Sequence, residues 1–276
     1  MRETNRRHPA SVVEFAQSLI AHRDLIFRLS AREFTQRFRG SVLGVAWAVL
    51  IPLLTALIYT FVFSTVLKAR WPGVVDGPFD FAIIFLTGIV VHTIFAEAIA
   101  RAPTLIVGNA NYVKKVIFPL EILPIVNVLT ALTNASIGIS IVVVGNLILN
   151  GRLHLTVIAL PLIVAPYLVF VVALVFFFAA VGVYLRDLSQ LVGLLITVTM
   201  FLTPIFFPID SVPERFQTVI WLNPLTFVVE QVRGVVIFGK WPNFFGLTIY
   251  TMAAMVSLAL AFWLFQRLRN GFADVL

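Results

Sequence analysis

The chain has 276 residues, 60% of them apolar, 12% charged and none of them cysteine, and its mean hydropathy is +1.01. Soluble domains carry about 25% charged residues; charge this sparse cannot coat a soluble body of this size, so soluble globular and disordered classes are excluded. The formal charge of +7, from 20 Lys and Arg against 13 Asp and Glu, is first a statement about topology, because basic residues collect on the cytoplasmic side of a membrane. Without cysteine there are no disulfides, no thiolate chemistry and no Cys-based metal site.

Residues 1–40 are polar and basic, and the first long apolar run starts near Ser41, so this stretch is not a signal peptide. It is predicted as a separate cytoplasmic segment preceding a transmembrane domain over 41–276. Val12, Phe15 and Leu19 suggest a first helix. Further on, Phe27, Ala31, Phe34 and Phe38 fall within about 60° of one another on a helical wheel. Arg28, Arg32 and Arg39 lie on the far side. An aromatic stripe opposite a basic one describes a helix lying in the membrane interface. It reads either as an anchor that sets topology or as a docking element for a cytoplasmic partner.

A helix needs about 20 apolar residues to cross the ~30 Å hydrocarbon core. Six runs qualify: 41–67, 79–100, 122–149, 155–185, 188–207 and 244–265. The alternation that marks a membrane barrel is absent, so the predicted class is an all-α integral membrane protein with six transmembrane helices. Six spans put both termini on one side. That side carries fourteen basic residues: eight within 1–40, then Arg101, Lys114, Lys115, Arg186, Arg267 and Arg269. The other side carries six: Lys68, Arg70, Arg152, Arg215, Arg233 and Lys240. Both termini are therefore predicted to be cytoplasmic, and the N-terminal cluster can also contact anionic membrane lipids.

Two connections are more than simple loops. In 101–121, Pro103, the Gly108-Asn109 pair and Pro119 break the backbone into a short helix with corners. Its exposed run Asn111, Tyr112, Val113, Lys114, Lys115 reads as a generic loop or as a partner-binding elbow. The 208–243 segment is too apolar for an exposed loop, yet Pro213, Pro224 and Gly239 cut it into pieces of about 10 and 14 residues, too short to cross. Two short re-entrant helices dipping into the outer leaflet fit best, and such backbone needs protein or a water-filled path around it. The alternative is a hairpin lying on the surface. Glu230 and Arg233, three apart, can pair on one helix face.

Polar residues inside the spans are few. Asn127, Ala131, Asn134, Gly138 and Gly145 share a face of the third span, the pattern of close helix packing, with lining of a transport path as the alternative. Thr93, Glu97 and Arg101 share a face of the second, so Glu97 is expected to pair with Arg101 at i+4. His92 has no acidic or histidine partner at metal spacing and reads as a packing or hydrogen-bonding residue. Trp47, Tyr59 and Phe63 in the first span, with Phe201 and Phe206 in the fifth, are aromatics near span ends. A ring-lined path could slide a sugar polymer along by its C–H faces.

There is no GxxxxGK[ST] phosphate loop, so the protein does not hydrolyse ATP by that route. No Ser/His/Asp set, carboxylate pair or His-rich metal spacing is present, and neither matched broken helices nor a filter motif. The residues describe a helical pore subunit with no motor of its own.

Several motifs in order resemble one family. The run Arg39-Gly40-Ser41-Val42-Leu43-Gly44-Val45-Ala46-Trp47, with Pro52 beyond it, is similar to the entry of the first span in type-2 ABC exporter permeases of the polysaccharide and teichoic-acid branch. Asn111-Tyr112-Val113-Lys114-Lys115-Val116-Ile117-Phe118-Pro119 resembles that branch's first cytoplasmic loop. Tyr184-Leu185-Arg186-Asp187-Leu188 resembles its fourth-to-fifth span corner. Leu202-Thr203-Pro204-Ile205-Phe206-Phe207-Pro208, Val212-Pro213 and Asn223-Pro224-Leu225 resemble its outer gate region. The resemblance implies a non-enzymatic permease in the bacterial cytoplasmic (inner) membrane, paired with a second copy of itself and with two ABC ATPase subunits that bind ATP and Mg. The permease itself would bind no cofactor, metal or nucleic acid. Its cargo would be a lipid-linked polysaccharide such as an O-antigen or capsule polymer. Asn111, Tyr112, Lys114 and Lys115, with Arg32 and Arg39 of the N-terminal helix, would couple to the ATPase. Trp47, Tyr59, Phe63, Phe201 and Phe206 would line the channel. Pro208, Pro213, Asn223, Pro224, Glu230 and Arg233 would form the outer gate. The rival readings are an ion-gradient-driven exporter of lipids or small molecules, a membrane enzyme acting on lipid-linked sugars, and a drug exporter of the same family.

Overall fold

The computed structural model describes residues 12–66, 71, 78–114, 118–151 and 153–276. The basic residues of 1–11, together with Lys68, Arg70, Lys115 and Arg152, lie outside the described residues. So does the side chain of Lys114.

The described protein is all helical. Two helices, α1 (Val12–Ala21) and α2 (Arg23–Arg37), precede the long apolar elements α3 (Ala46–Thr60), α4 (Pro78–Arg101), α6 (Ile122–Asn150), α7 (Leu160–Gly182) and α11 (Phe244–Arg269). The short helices are α5 (Ala110–Lys114), α8 (Leu188–Leu202), α9 (Glu214–Leu222), α10 (Pro224–Val236) and α12 (Phe272–Val275). Among the described residues, five helical stretches are long and apolar enough to cross a membrane, so this is a multi-pass membrane protein. The run predicted as a fifth span, 188–207, is helical only over α8, because the backbone turns extended at Thr203 ahead of Pro204.

Local chemistry sets the breaks. Pro103 stands just past the end of α4, and 3-10 turns at Ala102–Thr104 and Val107–Asn109 lead on to α5. Gly151 closes α6 in the left-handed region at φ 63, its N–H bonded to Leu147 O. Asn223 caps α10 by accepting from the Leu225 N–H, and Pro224 fills the first helical position. Asn243 caps α11 by accepting from the Gly246 N–H. Pro52 lies inside α3, which continues into a π-helix over Phe61–Val66.

Packing makes α4 the central element. Its apolar window is 72% buried, against 11% for the α3 stretch Ala46–Val66; α4 is a core helix and α3 lies at the edge with most of its surface uncovered. Gly138 of α6 meets Val90 of α4 so closely that an added Cβ would lie 2.6 Å from Val90 Cγ2. Buried side chains then lock carbonyls across helices. Asn127 donates to Ala98 O at 2.7 Å and Tyr167 to Val91 O at 2.7 Å. Asn146 and Thr156 donate to Val236 O and Val235 O. Of the small-residue stripe predicted on α6, Asn127, Ala131, Asn134 and Gly138 face neighbours, while Gly145 faces open space.

Helix α2 lies against the start of α6, but on a different face from the predicted stripe. It buries Ile26 and Ser30, with Ile26 packed against Ile122 and Val126, whereas Phe27 is 68% exposed. The small Ser30 permits close approach where a phenyl ring does not. Helix α1 inserts Phe15 between Phe176 of α7 and Phe262 of α11, at ring distances of 5.5 and 4.7 Å.

Candidate functional site

The structure gathers the predicted residues at two places. The first lies at the broken end of α8. Fifteen residues rise about 22 Å, short of the ~30 Å that a spanning helix covers. The turn that follows the extended Thr203 sends Ile205 and Phe206 into the protein, 0% and 5% exposed. Phe206 meets Phe63 (5.0 Å), Tyr59 (5.4 Å), Phe85 (5.7 Å) and Phe201 (5.8 Å). Tyr59 stacks on Phe85 at 4.7 Å. Four of the five predicted channel-lining rings thus form one cluster. Phe81 and Phe85 join it, although nothing in their sequence spacing singles them out. The π-helix that carries Phe63 delivers that ring to the cluster.

Beneath the rings sits Arg233, whose side chain is fully buried. Its guanidinium donates to Pro204 O and to Ile205 O (3.2 Å), and pairs with Glu230 at 2.9 Å, the i,i+3 contact expected from sequence. It also lies 4.4 Å from the Trp71 ring, a cation–π stack. Non-helical backbone inside a membrane protein requires internal partners for its carbonyls, and here a planar five-donor fork supplies them. Gly88 of α4 makes the room, since a Cβ there would lie 2.8 Å from Arg233 Nη2. The other predicted gate residues follow along the chain. Asn223 donates to Thr203 Oγ1 at 2.8 Å, tying the start of α10 to the end of α8. Pro224 opens α10, Pro213 precedes α9, and Pro208 lies half-buried on extended backbone. Sequence spacing found the Glu230 partner. The carbonyl partners and Trp71 are distant in sequence and left no spacing signal.

The second place is the opposite, charged end of the molecule. Asn111 is exposed on α5, and Tyr112 stacks flat on Phe118 at 4.3 Å. Arg32 and Arg39 are exposed. The expected pair of Glu97 with Arg101 does not form. Glu97 instead binds Arg37 of α2 and accepts from Asn134 at 2.8 Å. Arg101 turns to Glu33 of α2 at 3.7 Å. The cause is α2, which brings Arg37 over the end of α4 and outcompetes an i+4 neighbour. Burial raises the Glu33 carboxyl above its usual 4.5, and the Arg101 charge only partly offsets that. At the start of α6, Glu121 takes Arg269 of α11 (2.8 Å) and Ser18 of α1 (3.3 Å). Acids thus fasten α1, α2 and α11 to α4 and α6 at this end.

Trp47 stands apart from the ring cluster. It borders a cavity of about 160 Å³ with Arg37, Phe38, Pro52, Asn134 and Gly138. His92 bonds Thr199 of α8 at 3.3 Å, a helix-to-helix contact as its lack of ligand spacing suggested. Among the described residues no group of three or more acidic or His side chains is placed to hold a metal ion.

A sequence model described as ABC-2 type transporter matches residues 24–237. Relatives extend over nearly the whole length. An O-antigen export system permease protein RfbA of Klebsiella pneumoniae is 26% identical over 254 residues, 92% of this protein and 95% of the relative. One of the same name from Myxococcus xanthus is 26% identical over 265 residues, covering 95% and 99%. The polysialic acid transport protein KpsM of Escherichia coli is 24% identical over 245 residues, covering 86% and 91%.

Proposed function

Because the chain belongs to the ABC-2 type transporter family, we propose that it is the membrane permease subunit of an exporter of lipid-linked polysaccharide. The cargo is of the O-antigen or capsule kind, and the energy comes from a separate ATPase subunit. The observation that carries the cargo class is the end-to-end likeness to permeases named for O-antigen export. The working unit is two copies of this permease with two ATPase subunits that hold ATP and Mg. It sits in the bacterial cytoplasmic membrane with both termini inside. Residues 188–207 act as the fifth of six crossing segments, completed by the irregular stretch after α8. The 208–243 segment, with α9 and α10, dips back from the outer surface as a re-entrant gate.

The uncovered face of α3 supports the pairing, since a helix with 11% of its apolar window buried has room for a partner's helices. In the pair, α3 and α8 line the path; the exposed Phe201 and the half-buried Tyr59 and Phe63 form its outer constriction, backed by the buried Phe206. Stacked rings offer C–H contacts to a sugar polymer without strong polar traps. ATP binding closes the ATPase dimer and pushes on the connection around Asn111, Tyr112, Lys114 and Lys115. The exposed Arg32 and Arg39 of the adjoining segment add cationic contacts to the ATPase. The push moves α4 and α6 as rigid bodies, and the outer constriction opens as the pair separates.

The ion-gradient alternative needs a free titratable group inside the spans. Its two candidates, Glu97 and His92, are engaged with Arg37 and Asn134 and with Thr199. The test of assembly is native mass spectrometry of the permease expressed with the ATPase of its own operon. A 2:2 complex is expected. A permease that transports as a lone monomer without ATPase contradicts the proposal.

A further inference from the structure

We propose that the short helix α12 is a brace that fixes α5 to the α7–α11 pair, with Phe272 and Tyr184 as its positioning residues. The inference rests on the reading of α5 as the element the ATPase pushes.

The connection that carries α5 is built from short pieces broken at Pro103 and Gly108. Such a connection transmits a displacement only if it is supported from behind. Its first half is supported by α7. Ala102, Pro103 and Ile106 are buried, and Pro103 presses on Gly182 so closely that a Cβ there would lie 2.6 Å from Pro103 Cα.

Its second half, α5, touches α12, which folds back from the end of α11 through Gly271. The fold-back is a built feature. Phe272 is fully buried, with Phe265 of α11 at 5.6 Å and Tyr184 at 6.2 Å. Tyr184, in the corner between α7 and α8, donates to Leu268 O at 2.8 Å, satisfying a carbonyl of the last turn of α11. Gly271 allows this, since a Cβ there would lie 2.5 Å from the Tyr184 hydroxyl. Beyond Phe272, Val275 and Leu276 line a cleft of about 360 Å³ together with Pro103, Thr104 and Val107. The 271–276 segment therefore touches α5, faces the first half of the connection across this cleft, and is anchored on α11 and on Tyr184 just past α7. Those two helices pack along their length more extensively than any other pair in the described structure. A push on α5 then reaches the α7–α11 pair through Phe272, in addition to α4 and α6.

The test uses proteoliposomes of the permease with its ATPase, measuring polysaccharide exported per ATP hydrolysed, and a distance measurement that needs no transport. The protein has no cysteine, so spin labels can be placed at Asn111→Cys and Asp274→Cys alone. Phe272→Ala is expected to keep ATP hydrolysis within about twofold while export falls about tenfold, the scale of a packed residue on a coupling route. The label distance should broaden in the same variant, and Phe272→Leu should restore both readouts. Native export per ATP in Phe272→Ala, an unbroadened distance, or a proportional loss of hydrolysis and export each overturns the brace. Failure of the native permease to export with any ATPase would sink the exporter reading instead, and the label distance would still decide the brace.

Discussion

Replacing Arg233 by Met removes the charge but keeps the length and most of the volume. Swapping a buried ion pair for apolar groups is often neutral, so the outcome depends on what the guanidinium leaves behind. Here it leaves two carbonyls, Pro204 O and Ile205 O, in the turn after α8 with no helical donor. An orphaned buried acceptor costs about 1–3 kcal/mol, so the pair amounts to about 2–6 kcal/mol. Glu230, 30% exposed at its side chain, reaches solvent and adds less. Arg233→Lys keeps the charge but loses the fork and the stack on Trp71, and should retain part of the stability. The assay is thermal unfolding of the purified permease in nanodiscs, followed by Trp fluorescence. Arg233→Met should lower the midpoint by several degrees, with Arg233→Lys between it and the native protein. A midpoint for Arg233→Met equal to the native value would refute the idea that the guanidinium satisfies the broken backbone after α8.

Other consequences follow from the same contacts. Gly88→Ala places a methyl 2.8 Å from Arg233 Nη2 and should lower the unfolding midpoint in the same direction; an unchanged midpoint would show that the guanidinium has room to spare. Glu97→Gln keeps an acceptor for Asn134 and loses only a pair with a part-exposed Arg37, about 1 kcal/mol or less. Transport should persist, and its abolition with ATP hydrolysis intact would favour the gradient-driven rival. Gly182→Ala drives a methyl into the Pro103 backbone and should weaken ATPase binding, read by co-purification. The raised carboxyl of Glu33 gives a pH effect whose sign is fixed by linkage. The folded state binds the proton more tightly than the unfolded state, so this stability is fully present below 4.5. It is lost as pH rises through the higher folded value. Hydrogen exchange across α2 should therefore quicken with pH beyond its intrinsic dependence, and Glu33→Gln should abolish that excess.

Much of the fold is readable in the sequence where the governing interaction is local. Proline and glycine positions locate the breaks around α5, α9 and α10, because a ring or a missing Cβ acts on its own backbone. The Glu230–Arg233 pair is readable because three residues are less than one helical turn. What escapes is decided between elements far apart in sequence. Spacing assigns Glu97 its i+4 neighbour, yet Arg37, sixty residues away, wins the contact once α2 packs on α6 beside the end of α4. The aromatic stripe on α2 obeys the helical period, but the groove on α6 selects Ile26 and the small Ser30. The run 188–207 passes the hydropathy criterion, which is blind to a backbone that leaves the helix at Thr203. Arg233 counts as one basic residue on the outer side, yet its guanidinium is fully buried among backbone carbonyls. Charge counting records a residue's loop, not the carbonyls it serves.

The proposed export of a lipid-linked polysaccharide on energy borrowed from a partner ATPase is tested by transport with the permease and that ATPase reconstituted in sealed vesicles, with ATP supplied only on the ATPase side. Labelled lipid-linked polysaccharide is expected to cross only when ATP is hydrolysed, at a rate unchanged by collapsing the proton and sodium gradients. Transport that continues without ATP and stops when those gradients are collapsed would contradict it.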